Sequence, residues 1–293
     1  LFSNILNIAF ILTALAAIVI AIFARPLVTS QLGIAPGFSE AQTIDTIRLL
    51  RLNLIATLIF SLSGLAMAGL QANQHFLLPA LAPILYDLGQ IFGALVLAPS
   101  EPLKLGPISV PAMGFGVDGL VYGVILGALL HLLIQVPGLI KYQFRWRPRV
   151  DFKDPNTRKV MRLMGPRLLS MLFIQLIFLA QDNLASRLPE GSVSALTYGW
   201  WIMQVPETLI GTSIATAILP TLSEMFGNGE FDAMKEKIER AARVMLSLTF
   251  PIAIVAGMVL LPLVRSFLGL DATATMRVVN VSQVYLVGII GHS

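Results

Sequence analysis

The chain has 293 residues, of which 56% are hydrophobic and only 12% charged, and its mean hydropathy is +0.81. Soluble domains carry roughly 25% charged residues, so this composition belongs to an integral membrane protein. There is no cysteine, which excludes thiol catalysis, disulfides and cysteine-based metal sites. The three histidines, His75, His131 and His292, are scattered without zinc-ligand spacing, and the net charge of +4 comes from one loop rather than from a nucleic-acid-binding face.

In chain order, Ile5 to Ala24 reads as an apolar helix stopped by Arg25-Pro26. A polar entry, SEAQTIDTIRLLR, is expected to start as a surface turn before the span Leu49–Leu70, whose Ser61, Ser63, Gly64, Ala66, Ala68 and Gly69 favour close helix packing in lipid. Asn73-Gln74-His75 is a turn. Leu77–Ala98 and Phe115–Ile140 are the next spans, separated by the proline-rich loop Pro99–Pro111; Asp87 and Asp118 read as structural, and His131 as a packed, hydrogen-bonded side chain. Residues 141–167 gather Lys141, Arg145, Arg147, Arg149, Lys153, Arg158, Lys159, Arg162 and Arg167, which places this loop in the cytoplasm by the positive-inside rule. Counting outward from it, the turn at 73–75 and the stretch Glu224–Arg243 are cytoplasmic, and the loops at 26–45, 99–113, 188–192 and 269–275 lie outside. Glu224–Arg243 reads as an interfacial helix leading into the span Val244–Leu268. Met276–Ile290 starts a last helix, for eight apolar segments in all. The chain opens inside an apolar run without an initiator Met and stops inside a helix, so it is expected to be part of a longer protein.

The organising stretch is Gly165–Ser223, two apolar segments joined by Pro189-Glu190-Gly191-Ser192. Each exceeds the ~20 helical residues that cross a bilayer core, yet each carries polar groups mid-span. Such groups are costly in hydrocarbon and normally face a bundle interior or a hydrated path. Gln175, Asp182 and Ser186 are spaced i, i+7, i+11, as are Trp200, Glu207 and Gly211, with Gln204 on the second stripe, so each set falls on one helix face. Asp182 is the candidate cation site, with Gln175 beside it; the alternative is a neutral Asp that fixes helix packing. Glu207 follows Pro206, which is expected to kink the helix.

The runs GPRLLSMLFIQ, LASRLPEGSVSALTYG, MQVPETLIGTSIATAILPTLS and FGNGEFDAMKE, with APGF at 35–38 and LQANQHFLLPALAPIL at 70–85, resemble the MurJ (MviN) lipid II flippases of the MOP exporter superfamily. In this order and spacing the motifs are specific at family level and cover nearly the whole chain. The resemblance implies a polytopic all-α membrane bundle, here roughly the third helix to the start of the tenth of fourteen. It implies three parts: residues 1–140 as the end of the N-terminal bundle, 141–165 as a basic cytoplasmic loop, and 166–293 as the start of the C-terminal bundle. Some relatives place a sodium-binding Asp in the helix of Asp182. Where these flippases show an Asp-Arg pair before the MxxP element, this chain has Trp200-Trp201, and Trp201 replaces the arginine expected to meet a substrate pyrophosphate.

The implied function is non-enzymatic: flipping a polyprenyl-pyrophosphate-linked cell-wall precursor across the bacterial cytoplasmic membrane by alternating access. The expected substrate cavity comprises Gln175, Asp182, Trp200, Trp201, Gln204 and Glu207. No metal site, cofactor or nucleic acid is expected, and a coupling Na+ or H+ is left open. Expected partners are membrane lipids, the lipid-linked glycan and cell-envelope synthesis proteins. The alternatives are a related exporter of another polyprenyl-linked glycan, a cation-coupled exporter, or a non-transporting membrane scaffold.

Overall fold

Helix boundaries in the computed structural model, which describes residues 1–105 and 108–292, follow from identifiable caps and breaks. α1 (Phe2–Ile22) ends at Phe23, and Pro26 lies in the first turn of α2 (Ala24–Thr29), where a missing N–H breaks no helical bond. The expected stop is therefore close in position, but the proline begins the next element. α3 (Glu40–Ala72) opens on a capping box in which Ser39 and Gln42 bond each other's backbone N–H. That cap makes SEAQTIDTIRLLR the first turns of the span itself. α3 ends at the turn 73–75, where Gln74 adopts φ 58°.

α4 (Leu77–Phe92) continues into a π turn, Gly93–Leu97. The proline-rich loop that follows carries a short antiparallel hairpin of β1 (Leu103–Leu105) and β2 (Ile108–Val110), with Leu103 opposite Val110. The span expected at 115–140 is two helices, α5 (Val117–Leu133) and α6 (Val136–Lys141), broken at Ile134-Gln135 ahead of Pro137. α7 (Pro155–Ala185) starts well inside the stretch expected to be loop, because Asp154 Oδ1 accepts the N–H groups of Asn156 and Thr157 at 2.8 and 3.1 Å and Pro155 suits the first helical position. The non-helical part of the basic loop shrinks to residues 142–154.

After the turn at Gly191 come α8 (Ser192–Glu207), a π turn (Thr208–Thr212) and α9 (Ser213–Asn228). The disruption expected at Pro206 is taken up by this π turn, a common resolution where the i to i−4 ladder loses a donor. α10 (Phe231–Leu268) is one helix of 38 residues, so the stretch read as a separate interfacial helix is its first turns. α11 (Ala272–His292) closes the described chain, with Asp271 Oδ1 accepting from Ala274 N at 2.9 Å.

Among the described residues, seven helical stretches are long and apolar enough to cross a membrane: 2–22, 40–72, 77–97, 117–141, 155–185, 192–228 and 231–268. α11, the eighth in the sequence tally, is not among them; Arg277, Asn280 and Gln283 dilute its apolar character. Large apolar side chains such as Ile22, Leu172, Met258 and Phe267 lie exposed along the spans. In water so much apolar surface would drive association; in lipid it is the solvated surface.

The chain forms two compact units, Leu1–Asn183 and Leu184–Ser293. In the first, α5 packs on α4 and α3, and α3 packs on α1. The α4–α5 contact is made backbone to backbone through Gly89 and Gly93 on one helix and Gly119, Gly123 and Gly127 on the other. In the second, α11 packs between α8 and α10, burying Ala195, Leu260, Val264, Val278 and Leu286.

Candidate functional site

Gln175 and Asp182 lie on α7, in the first unit. Gln175 is exposed, whereas Asp182 is half-buried and makes no hydrogen bond or ion pair among the described residues. They are two helical turns apart, about 10 Å along the axis. Asp182 is the only carboxylate between residues 155 and 185. The next residue, Asn183, is buried, and its Nδ2 donates to the carbonyls of Gln31 and Gly33 at 3.0 and 2.6 Å. Asn183 thus ties α7 to the loop before the APGF motif. Local sequence does not show this role, which requires the fold of the 30–37 loop. Beside it, Ser30, Asn53 and Thr57 give a polar edge to a cavity of about 470 Å³ whose walls are otherwise apolar and include Leu27, Leu54 and Leu179.

Trp200, Trp201, Gln204 and Glu207 lie on α8, in the second unit. The face of α8 toward α11 is Ala195, Gly199, Met203 and Pro206, all buried. A Cβ at Gly199 would fall 2.8 Å from the Tyr285 ring, so the residue must be small there. Trp200 borders this face and meets Tyr285 edge to face, with ring centroids 6.1 Å apart. Trp201 points elsewhere: with Tyr198, Val205, Leu260, Val264 and Phe267 it lines a groove of about 390 Å³ between α8 and α10 that presents no polar surface. Gln204 is exposed, Glu207 half-buried, and Gly211, the end of the expected stripe, buried in the π turn. The polar stripe read from spacing is therefore divided by the packing of α8 on α11.

Two further polar clusters sit in the first unit. His131 of α5 and Gln135, four residues on in the break before α6, meet Ser63 of α3. Gln135 Nε2 donates to Ser63 Oγ at 2.8 Å and to the His131 carbonyl at 2.7 Å, and Ser63 Oγ lies 2.6 Å from His131 Nδ1. The Ser63 hydroxyl thus joins the Gln135 amide to the His131 ring, its oxygen accepting from the amide. His131 is the hydrogen-bonded packing residue expected of it. Asp118, in the first turn of α5, pairs with Arg48 Nε at 3.3 Å.

The second cluster holds the basic loop. Asn4 and Asn7, buried in α1, bind its backbone: Asn4 Nδ2 donates to Asp151 O at 2.8 Å and its Oδ1 accepts from Asp151 N at 2.7 Å, while Asn7 Nδ2 donates to the carbonyls of Arg147 and Arg149. Asn4 also reaches Thr157 Oγ1, and Trp146 Nε1 donates to Asn7 Oδ1 at 2.8 Å. Arg149 lies 2.7 Å from the Asp151 carboxylate, and this hydrogen bond, helped by the Lys153 N–H, holds Asp151 below the usual carboxylate range and Arg149 above its own. No sequence pattern pairs residues 4 and 7 with residues 146 to 157.

A family model described as lipid II flippase MurJ matches residues 1–293. The lipid II flippase MurJ of Burkholderia cenocepacia is 29% identical over 238 residues, covering 79% of this chain and 44% of that protein. The probable lipid II flippase MurJ of Bdellovibrio bacteriovorus is 32% identical over 187 residues, 63% of this chain and 33% of the relative. A solved structure described as lipid II flippase MurJ, inward closed conformation, superposes with a TM-score of 0.78 at 19% identity, covering 99% of this chain and 57% of that one. At that identity the likeness establishes the fold, a polytopic helical membrane bundle. The chain spans less than half the length of these two curated relatives. With the match running from the first residue to the last, this chain belongs to the MurJ lipid II flippase family.

Proposed function

We propose that the protein containing this chain flips lipid II, or a closely related polyprenyl-pyrophosphate-linked cell-wall precursor, across the cytoplasmic membrane of a bacterium. The family match over residues 1–293 carries this reading. Transport is by alternating access, with the polar headgroup crossing a hydrated path while the lipid tail stays in the bilayer. No covalent step is involved. Residues 1–140 complete the N-terminal bundle, 141–165 form the cytoplasmic basic region, and 166–293 begin the C-terminal bundle. Gln175, Asp182, Trp200, Trp201, Gln204 and Glu207 are the proposed contributors to the substrate path, with Asp182 the acceptor for a coupling Na+ or H+. An unpaired, half-buried carboxylate on a membrane-spanning helix supports that role for Asp182.

The test is complementation of a flippase-depleted bacterium, together with lipid II translocation into reconstituted vesicles. Growth rescue and translocation support the reading; translocation of a different polyprenyl-linked glycan without rescue replaces it. One observation favours that second cargo: Trp201, where resembling flippases hold an arginine, faces an apolar groove and offers no cation to a pyrophosphate. Stable expression with neither transport nor rescue would leave the scaffold reading.

A further inference from the structure

We propose that the basic loop after α6 and the crevice beneath Trp146 form a binding site for an anionic glycerophospholipid of the cytoplasmic leaflet. The loop backbone is held in place from below. Ser3 Oγ donates to Arg145 O, Asn7 Nδ2 to Arg147 O, and Asn4 to Asp151 O. With the backbone fixed by α1, the side chains of Arg145 and Arg147 are exposed, and neither makes an ion pair among the described residues. Arg149, by contrast, is engaged with Asp151 and Asp154. A pair of exposed, uncommitted guanidinium groups on a fixed backbone is suited to a phosphate, which it binds by bidentate, charge-assisted hydrogen bonds.

The second half of the site is apolar. Trp146, sitting between the two arginines in sequence, closes a crevice of about 360 Å³ lined by Leu6, Phe10, Leu62, Leu132 and Leu139 from α1, α3, α5 and α6. These are side chains of membrane-spanning helices, so the crevice opens at acyl-chain depth while the arginines sit at the span ends. Tyr142, Val150 and Phe152, all exposed, continue an apolar and aromatic surface between the charges, as interfacial segments do. An acyl chain in the crevice and an anionic headgroup on Arg145 and Arg147 satisfy both halves. A nucleic acid or an acidic protein would use the charges and leave the crevice empty. The site is independent of the cargo proposed above, and its failure would leave that reading untouched.

The test uses the full-length protein in nanodiscs with every tryptophan except Trp146 replaced by Phe, Trp200→Phe and Trp201→Phe among them. Quenching by brominated phosphatidylglycerol is compared with brominated phosphatidylcholine at equal mole fraction. The expected result is a clear preference for phosphatidylglycerol that falls about fivefold for each of Arg145→Gln and Arg147→Gln and falls less in Arg145→Lys, which keeps the charge but not the bidentate fork. Native mass spectrometry of the protein with both lipids, without tryptophan replacement, should show the same preference in retained adducts. Equal quenching and equal adducts for the two lipids would overturn the proposal, as would a preference undiminished in the double Gln variant. Displacement of the brominated lipid by equimolar polyprenyl pyrophosphate would reassign the site to the transported substrate.

Discussion

A Cβ placed on Gly89 would lie 2.3 Å from the Cα of Gly127, so α4 and α5 touch at a distance that no side chain permits. In lipid there is no hydrophobic drive to hold two helices together, and such close contact supplies dispersion instead. Gly127→Ala should therefore separate the helices and destabilise the first unit by about 1–3 kcal/mol, as overpacking does. Gly64→Ala, with nothing within 4 Å of the added methyl, should be close to neutral. Thermal unfolding in detergent, followed by size-exclusion chromatography, separates the two outcomes.

Asn4 should matter more than its place near the start of α1 suggests. Asn4→Ala leaves the Asp151 N–H and carbonyl without their partners, a loss of about 1–3 kcal/mol locally. Limited trypsin digestion should then cut after Arg145 or Arg149 much faster than in the parent protein. Unchanged digestion would show that the clamp is dispensable.

The loop should also respond to acid. Its Arg149 contact holds the Asp151 carboxyl below the ordinary value of about 3.9. A depressed folded-state value means the contribution is fully present above the ordinary range and is lost as pH falls through the folded value. Hydrogen exchange across 145–157 should therefore speed up below about pH 4 beyond its intrinsic pH dependence. In Asp151→Asn that extra step should be absent.

Topology is open to direct labelling. Asn156 lies in the first turn of α7, and Glu190 in the exposed turn before α8. Single cysteines at the two sites should react differently with an impermeant maleimide added to intact cells, Glu190→Cys labelling and Asn156→Cys remaining protected. Equal labelling would reverse the assignment of the basic loop to the cytoplasm.

Trp201→Arg should be costly. The groove around Trp201 presents no polar surface, and a guanidinium there meets aliphatic side chains of α10. Insertion scales put a central arginine at about 2.5–3.5 kcal/mol, so folded yield should drop. A well-expressed variant that gains affinity for pyrophosphate-linked lipids would place this position on the substrate path instead.

The sequence by itself determined that the chain is a membrane protein, where the apolar segments run, which loop is basic and which family it resembles. These are sums over neighbouring residues or ordered local motifs, and lipid solvation reads them directly. It also placed the turns at 73–75 and 189–192, because their residues act locally. Only the tertiary structure decided how segments join. The capping box makes the entry of α3 continuous with its span, and the break at Ile134-Gln135 sits where Gln135 turns its side chain to Ser63, 72 positions away. The clamp of Asn4 and Asn7 on the loop spans about 140 positions, and no local pattern encodes it. Helical spacing aligned Trp200 with Gln204 and Glu207, but it could not show which face α11 would cover. Packing decided that, because Gly199 lets Tyr285 approach and so turns Trp201 toward α10.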